Sequence, residues 1–380
     1  MKVVFASLGA YGHLYPMLPL AVACREAGHE VVVATGAPLL TGLRLRTVPG
    51  LPPDVDLAWA QREVRRRHPT LTGLDETLAM FGDVTAGATI PTMLDVLRAE
   101  RADLLVTEPL HVGAAVAGDL LGVPTLDFAI GLAANMPTML HALTIGYQQD
   151  HWLKRGLAPP DAKLLGQAFL DPCPPSLAAP SQDAPTIPIR SVAWRASGTR
   201  LPGWLQAPAT RPRVYLTLGT VSYSAVEVLR RSALEIGALD ADVLVAVGPD
   251  GDPALLGEVP ASVHVERFVD QADVLRRVDL IVHHGGTGTV LAALEAGLPQ
   301  LILPQGADQP FNAEVIAGAG AGRRQTTSEY TPGSIAALVE PLLGDCAERA
   351  TAMQIAAEMA DMPAPADVVP VLAGRALNRR

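Results

Sequence analysis

The chain has 380 residues, 49% of them hydrophobic, with 29 Lys and Arg against 39 Asp and Glu and a formal net charge of −10. That length exceeds one ordinary hydrophobic core, so two domains are expected. The negative charge argues against nucleic acid as a partner, because such binding rests largely on neutralised phosphates.

The opening MKVVFASLGA is a short strand with one Lys, without a signal peptide's long apolar core and cleavage site. Val3–Ser7 is expected to be a buried strand, followed by a turn at Gly9-Ala10-Tyr11-Gly12 and a helix from Leu14 to Ala27. Leu14, Met17, Leu18, Ala21 and Val22 share one face of that helix, and Gly28 stops it. Pro16 falls in its first turn, where proline is tolerated, and Pro19, slightly deeper, is expected to bend it. Glu30–Thr35 is the second strand. Such a β-α-β opening predicts a doubly wound sheet with its ligand at the carboxyl ends of the strands.

Between Pro38 and Arg67 the pattern is weak. The basic run from Arg62 to His68 reads as a solvated helix face, with an anionic substrate or a membrane surface as the sharper alternative. Leu71–Glu100 looks helical in two pieces divided near Pro91. Asp103–Thr107 is a buried strand ending at Glu108-Pro109, Val112–Leu121 a helix, and Thr125–Phe128 another strand. The apolar stretch Leu104–Ile130 is broken by Glu108, Asp119 and Asp127, so it does not span a membrane. Ala129–Pro175 carries Met136, Met139, Tyr147 and Trp152 without periodicity, which fits either a pocket lining or ordinary helical core. Ile189–Trp194 reads as a further short strand.

Ser197–Pro212 is polar, proline-bearing and aperiodic, and is the best linker candidate. The domains are therefore drawn as 1–200 and 213–362 around a linker at 201–212. A last segment, 363–380, is allowed to return to the first domain. After the linker, Arg213–Gly219 echoes Lys2–Gly9, a strand running into a glycine turn, and alternating elements follow: helix Ala225–Ala238 and strands Asp242–Val247 and Val263–Arg267. Then comes the densest stretch, DLIVHHGGTGTVLAALEAGLPQLILPQGADQPFN, from Asp279 to Asn312. It reads as strand, glycine turn, helix and strand. At its turn, backbone N–H groups and the positive end of a helix dipole suit a phosphate. Helices at Asn312–Gly318, Thr331–Leu343 and Cys346–Glu358 close the chain.

Several residues could carry chemistry. His13 stands where a helix begins after the first strand and could act as a general base or simply cap the turn. Glu108 ends another strand of the same sheet and could orient an imidazole, or be a loop acid before proline. His283 and His284 are adjacent, so on a strand they point to opposite faces and cannot chelate one metal together. GGTGT matches neither the P-loop, which needs a following Lys-Ser/Thr, nor the full dinucleotide fingerprint. Asp-x-Asp pairs at Asp54/Asp56, Asp240/Asp242 and Asp250/Asp252 could hold Mg²⁺ on a diphosphate, but sit in turn-like settings, so no required metal is expected. Cys24, Cys173 and Cys346 fit neither zinc spacing nor a disulfide framework and read as buried thiols of a cytoplasmic protein.

Two motifs, Gly12-His13-Leu14-Tyr15-Pro16 and HHGGTGTVLAALEAGLPQLILPQGADQPFNA from His283 to Ala313, make the whole chain resemble family 1 glycosyltransferases, especially bacterial enzymes of natural-product biosynthesis. The resemblance implies the α/β GT-B architecture, with two facing Rossmann-like, doubly wound parallel-sheet domains and an interdomain cleft. The first domain would bind an acceptor and the second a nucleotide-sugar. It implies inverting transfer to a hydroxyl with His13 as base and Glu108 in the place where the family usually has Asp. Thr220, His284, Gly286, Gly288 and Thr289 would meet the diphosphate, and Asp308 and Gln309 the sugar hydroxyls. Phe268 and Val269 would hold the base, with Asp270 where proline is usual. The partners implied are a dTDP- or UDP-sugar and a small hydrophobic acceptor, with a homodimer left open and no cofactor. A nucleotide-sugar 2-epimerase and an inactive partner protein on the same fold are the rivals. NAD-linked oxidoreduction is disfavoured by the incomplete fingerprint.

Overall fold

The computed structural model describes residues 1–132, 144–160, 166–178, 185–195, 201–219, 225–248 and 251–377. The chain forms two compact units. The first comprises Met1–Cys173, Ala178–Arg190 and Met362–Arg380, the second Pro174–Leu177 and Ser191–Asp361.

The first unit is built on seven parallel strands: β1 (Lys2–Ala6), β2 (Glu30–Thr35), β3 (Arg46–Pro49), β4 (Leu104–Thr107), β5 (Thr125–Phe128), β6 (Phe169–Asp171) and β7 (Thr186–Pro188). Their order is β3-β2-β1-β4-β5-β6-β7. The central strands are buried on both faces because helices cover both, as parallel sheets require. Strand order reverses between β1 and β4, which makes their carboxyl ends the place where such a sheet binds ligands.

Four expectations for this unit need correction. The helix read over Leu14–Ala27 is three pieces: Tyr11–Leu14, a 3₁₀ turn Tyr15–Met17 and a helix Leu18–Glu26. Proline lacks an N–H and crowds the preceding turn, so the chain restarts until both Pro16 and Pro19 lie in first turns. Between Leu71 and Glu100 the helix changes at a π-helical segment, Met80–Thr85, and Pro91 sits inside the helix Ala86–Glu100. The widened turn falls where Gly82 packs on Tyr147 and Gln148; a Cβ there would lie 3.1 Å from a side-chain carbon of each. The strand expected at Ile189–Trp194 is Thr186–Pro188, an edge strand where proline is tolerated. Strands β3 and β6 have no periodic signal, being four and three residues long with β3 at the other edge.

The second unit has six parallel strands: β8 (Arg213–Thr217), β9 (Asp242–Ala246), β10 (Val263–Glu266), β11 (Leu280–His283), β12 (Gln300–Ile302) and β13 (Gly322–Arg324). The order is β10-β9-β8-β11-β12-β13, with the reversal between β8 and β11. Residues 201–212 lie within this unit: Leu205 is buried, and the helix Gly203–Gln206 is tied to β8 by the Arg213 guanidinium, which donates to the carbonyls of Trp204, Leu205 and Ala207. The helix Ala347–Asp361 ends the second unit, and the helix Pro365–Leu377 packs on Leu18–Glu26 of the first, burying Val368, Val369 and Leu372. Among the described residues no helix is long and apolar enough to cross a membrane.

Candidate active site

At the switch point of the first sheet, Gly9 after β1 touches Gly36 after β2. A Cβ on Gly9 would lie 3.0 Å from the Gly36 Cα, so only glycine lets the two loops approach this closely. The short helix Tyr11–Leu14 that follows aims His13 at the end of β4. There His13 Nδ1 lies 3.0 Å from Glu108 Oε1. The carboxylate is fully buried, and its Oε1 also accepts the Leu8 N–H at 3.3 Å while Oε2 accepts the Leu110 N–H at 2.7 Å. Burial pushes the Glu108 pKa up, but the charge and hydrogen bond of His13, the nearby His111 and the Leu110 N–H outweigh it, so the net shift is downward. An ionised Glu108 accepts the proton on His13 Nδ1, which puts the imidazole lone pair on Nε2. The His13 ring also lies against Phe81 of the π-helical segment, with ring centroids 6.5 Å apart. The pair suspected across ninety-five positions of sequence is thus a direct contact.

At the switch point of the second sheet, β11 runs into the glycine turn. His283 is buried; its Nδ1 accepts the Gly285 N–H at 3.1 Å and its Nε2 therefore donates to Gln300 Oε1 at 2.9 Å. It is a fixed structural tautomer, and burial pushes its pKa down to about 3. The His284 ring sits between two glycines. A methyl on Gly219, after β8, would lie 2.9 Å from its Cε1, and one on Gly286 would lie 2.6 Å from its Nε2. Burial pushes the His284 pKa down to about 4, against the opposing pull of Asp308, and its Nδ1 is buried without a hydrogen-bond partner. Gly285 has φ +95°, the left-handed region that favours glycine, and a Cβ there would meet Ile302 Cγ2 at 2.7 Å. The helix Thr287–Glu295 starts directly after Gly286, and a Cβ on Gly288 would meet nothing within 4 Å. Thr289 lies in its first turn, its N–H bonded to the Gly286 carbonyl.

The turn is fastened from the next helix, Gln309–Gly318. Asn312 Nδ2 donates to the Gly285 carbonyl, Thr287 Oγ1 and Asp308 Oδ2, and Thr287 Oγ1 donates to Asp308 Oδ2 at 2.9 Å. Gln309 Oε1 accepts the N–H groups of Gln305 and Gly306. At the end of β10, Phe268 is exposed while Val269 packs into the core, and Asp270 caps the helix Gln271–Val274 by accepting the Asp273 N–H. Thr220 lies outside the described residues.

The chain as a whole has counterparts among known proteins. Family models described as the erythromycin biosynthesis protein CIII-like N-terminal and C-terminal domains match residues 22–219 and 231–374. An L-demethylnoviosyl transferase of Streptomyces niveus is 34% identical, with 98% of each chain covered. The chain belongs to the erythromycin biosynthesis protein CIII-like family. Two solved structures agree. The glycosyltransferase SnogD of Streptomyces nogalater is 29% identical with a TM-score of 0.79 over 99% of each chain. The glycosyltransferase SsfS6 of Streptomyces sp. SF2575, complexed with thymidine diphosphate, is 26% identical with a TM-score of 0.80 over 98% of this chain and 99% of its own. The chain is a glycosyltransferase of GT-B fold, a bacterial natural-product member of family 1.

Within this glycosyltransferase, several side chains at the two switch points have contacts that the sequence did not assign to them. Asn312 was legible only as the residue one helical turn after Asp308, a spacing that puts both on one face. Gln300 and Phe81 reach the two histidines through tertiary packing alone. His111, fully buried three residues after Glu108, has no hydrogen-bond partner at either ring nitrogen, and burial pushes its pKa down to about 4. Four of the six Asp-x-Asp acids have other partners. Asp56 caps the helix Leu57–Arg67, Asp252 accepts the Ala254 N–H, and Asp240 and Asp242 pair with Arg211. Asp250 lies outside the described residues. The basic run at 62–68 is a helix face on which Glu63 pairs with Arg66 and Arg67, and Arg65 with Glu76.

Proposed function

We propose that this glycosyltransferase moves a sugar from a dTDP-linked donor to a hydroxyl of a small natural-product acceptor, with inversion and without a metal. The observation that carries the reading is the His13–Glu108 contact at the first switch point, an imidazole oriented by a buried carboxylate. His13 Nε2 takes the acceptor hydroxyl's proton. The oxygen attacks the anomeric carbon from the side opposite the diphosphate, and the breaking C–O bond leaves its electron pair on the nucleoside diphosphate. Glu108 stabilises the imidazolium that forms. Charge growing on the leaving group meets the N-terminus of the helix Thr287–Glu295 and His284, donors arranged before the reaction begins. That is the electrophilic help a divalent cation would otherwise supply.

Thr220, Gly286, Gly288 and Thr289 complete the diphosphate site in this reading. Phe268, exposed beside buried Val269, stacks on the base. Asp308 Oδ1 and the Gln309 Nε2 amide reach donor hydroxyls while Asp308 Oδ2 and Gln309 Oε1 hold the neighbouring backbone and side chains. The thymidine diphosphate bound by SsfS6 favours dTDP over UDP. Thermal-shift titration against dTDP, UDP, GDP and NAD tests the donor, and stabilisation by NAD alone would overturn it. Donor turnover with no acceptor present would point instead to an epimerase.

A further inference from the structure

Glu108 and His111 stand at the two ends of one turn, each with an unmet hydrogen-bonding capacity. The Glu108 carboxylate is sealed from solvent; Oε1 receives His13 Nδ1 and the Leu8 N–H, whereas Oε2 receives the Leu110 N–H. A buried carboxylate has about four lone-pair sites to satisfy, so Oε2 has room for a second donor. His111 is equally sealed, and neither of its ring nitrogens has a partner. A neutral imidazole always carries one ring N–H, and a buried donor left unmatched is costly. The backbone closes the distance between the two, because the His111 N–H donates to the Glu108 carbonyl at 2.9 Å. The charged groups acting on His111 are Glu108 and His13, the members of the pair itself. Behind the turn, the helix Val112–Leu121 is clamped against Ala86–Glu100. Gly113 sits so close that a Cβ would overlap Thr89 Oγ1, so the position of His111 is fixed by packing.

We infer that His111 is a positioning residue of the His13–Glu108 pair, its ring N–H turning onto Glu108 Oε2 to hold the carboxylate that orients His13. The contact gains most when His13 becomes an imidazolium, since the carboxylate must then keep one fixed orientation toward it. His111 neither touches substrate nor exchanges a proton. Its effect is on geometry and on how strongly Glu108 attracts the His13 proton: a carboxylate deprived of a donor is more basic, so the pair would take up a proton at higher pH.

The inference rests on His13 being the base, so the experiment separates the two. His111→Leu removes the donor and His111→Gln keeps one. The Leu variant should lower kcat about tenfold, a fraction of the ~10²–10⁴-fold effect of a general base. Its KM for donor should hardly change, and the acidic limb of kcat/KM should move to higher pH, while His111→Gln stays near wild type. An unshifted acidic limb in a folded Leu variant, or equal impairment of both variants, overturns the inference. ¹⁵N NMR of the wild-type imidazoles gives a readout independent of turnover and of variant folding. A His111 ring N–H proton shifted strongly downfield, as a charge-assisted hydrogen bond to a carboxylate requires, supports the contact, and one at the ordinary position of an unbonded imidazole refutes it. Full turnover in His13→Ala would remove the base assignment itself, whatever His111 does.

Discussion

In the proposed mechanism His13 and His284 do different work although both are histidines beside a glycine-bearing loop, and the difference lies in their partners. His13 is held by a buried carboxylate. His284 is enclosed between Gly219 and Gly286 with its Nδ1 unpartnered, and burial keeps it neutral. His13→Ala should therefore lower transfer by ~10²–10⁴-fold while leaving dTDP affinity unchanged in titration calorimetry. His284→Ala should weaken dTDP in the same titration, and equal affinity would contradict its role. A pH effect on stability follows from the buried histidines. His111, His283 and His284 have folded pKa values pushed down to about 4, 3 and 4, against an ordinary value near 6.5. Below that ordinary value the unfolded chain binds protons that the folded one refuses. Stability should thus be full near neutrality and fall as pH drops from about 6.5 toward 4. Urea unfolding at a series of pH values checks this, and a flat profile would refute it.

At the scale of elements, the glycine turn shows which glycines serve the fold and which leave room for something else. Gly285 needs its positive φ and has no space for a side chain, so Gly285→Ala should cost ~1–3 kcal/mol and disturb the His283 hydrogen bond. Gly288 has space for a side chain and lies in the first turn of the helix Thr287–Glu295. Gly288→Ala should leave the melting temperature close to wild type yet reduce dTDP affinity. A variant that loses stability but keeps affinity would contradict this assignment. Asn312→Leu should behave like Gly285→Ala, because Asn312 ties the turn to Asp308 and Thr287. The sequence carried this element well: strand, turn, helix and strand follow one another in the order the pattern predicts. It failed where the chain is proline-marked or short. Pro16 and Pro19 broke a helix whose apolar spacing reads as continuous, and the three-residue strands β6 and β13 are too brief for any period.

At the scale of the whole molecule, the chain crosses between its units more than once, and the helix Pro365–Leu377 belongs with the first. It covers the helix Leu18–Glu26, which follows the short helix bearing His13 and a 3₁₀ turn. Truncation after Asp361 should expose that face and destabilise the first unit, seen as faster proteolysis there with dTDP binding by the second unit retained. By itself, the sequence determined the two parallel-sheet units, the phosphate-suited turn and the family, because these rest on local periodicity, glycine placement and an unbroken motif. Only the tertiary structure decided that His13 meets Glu108, that Gln300 fixes His283 and that His111 is buried without a partner. Those facts depend on strand order: β1 and β4 are neighbours only because the first sheet reverses there, and nothing local in either strand records it.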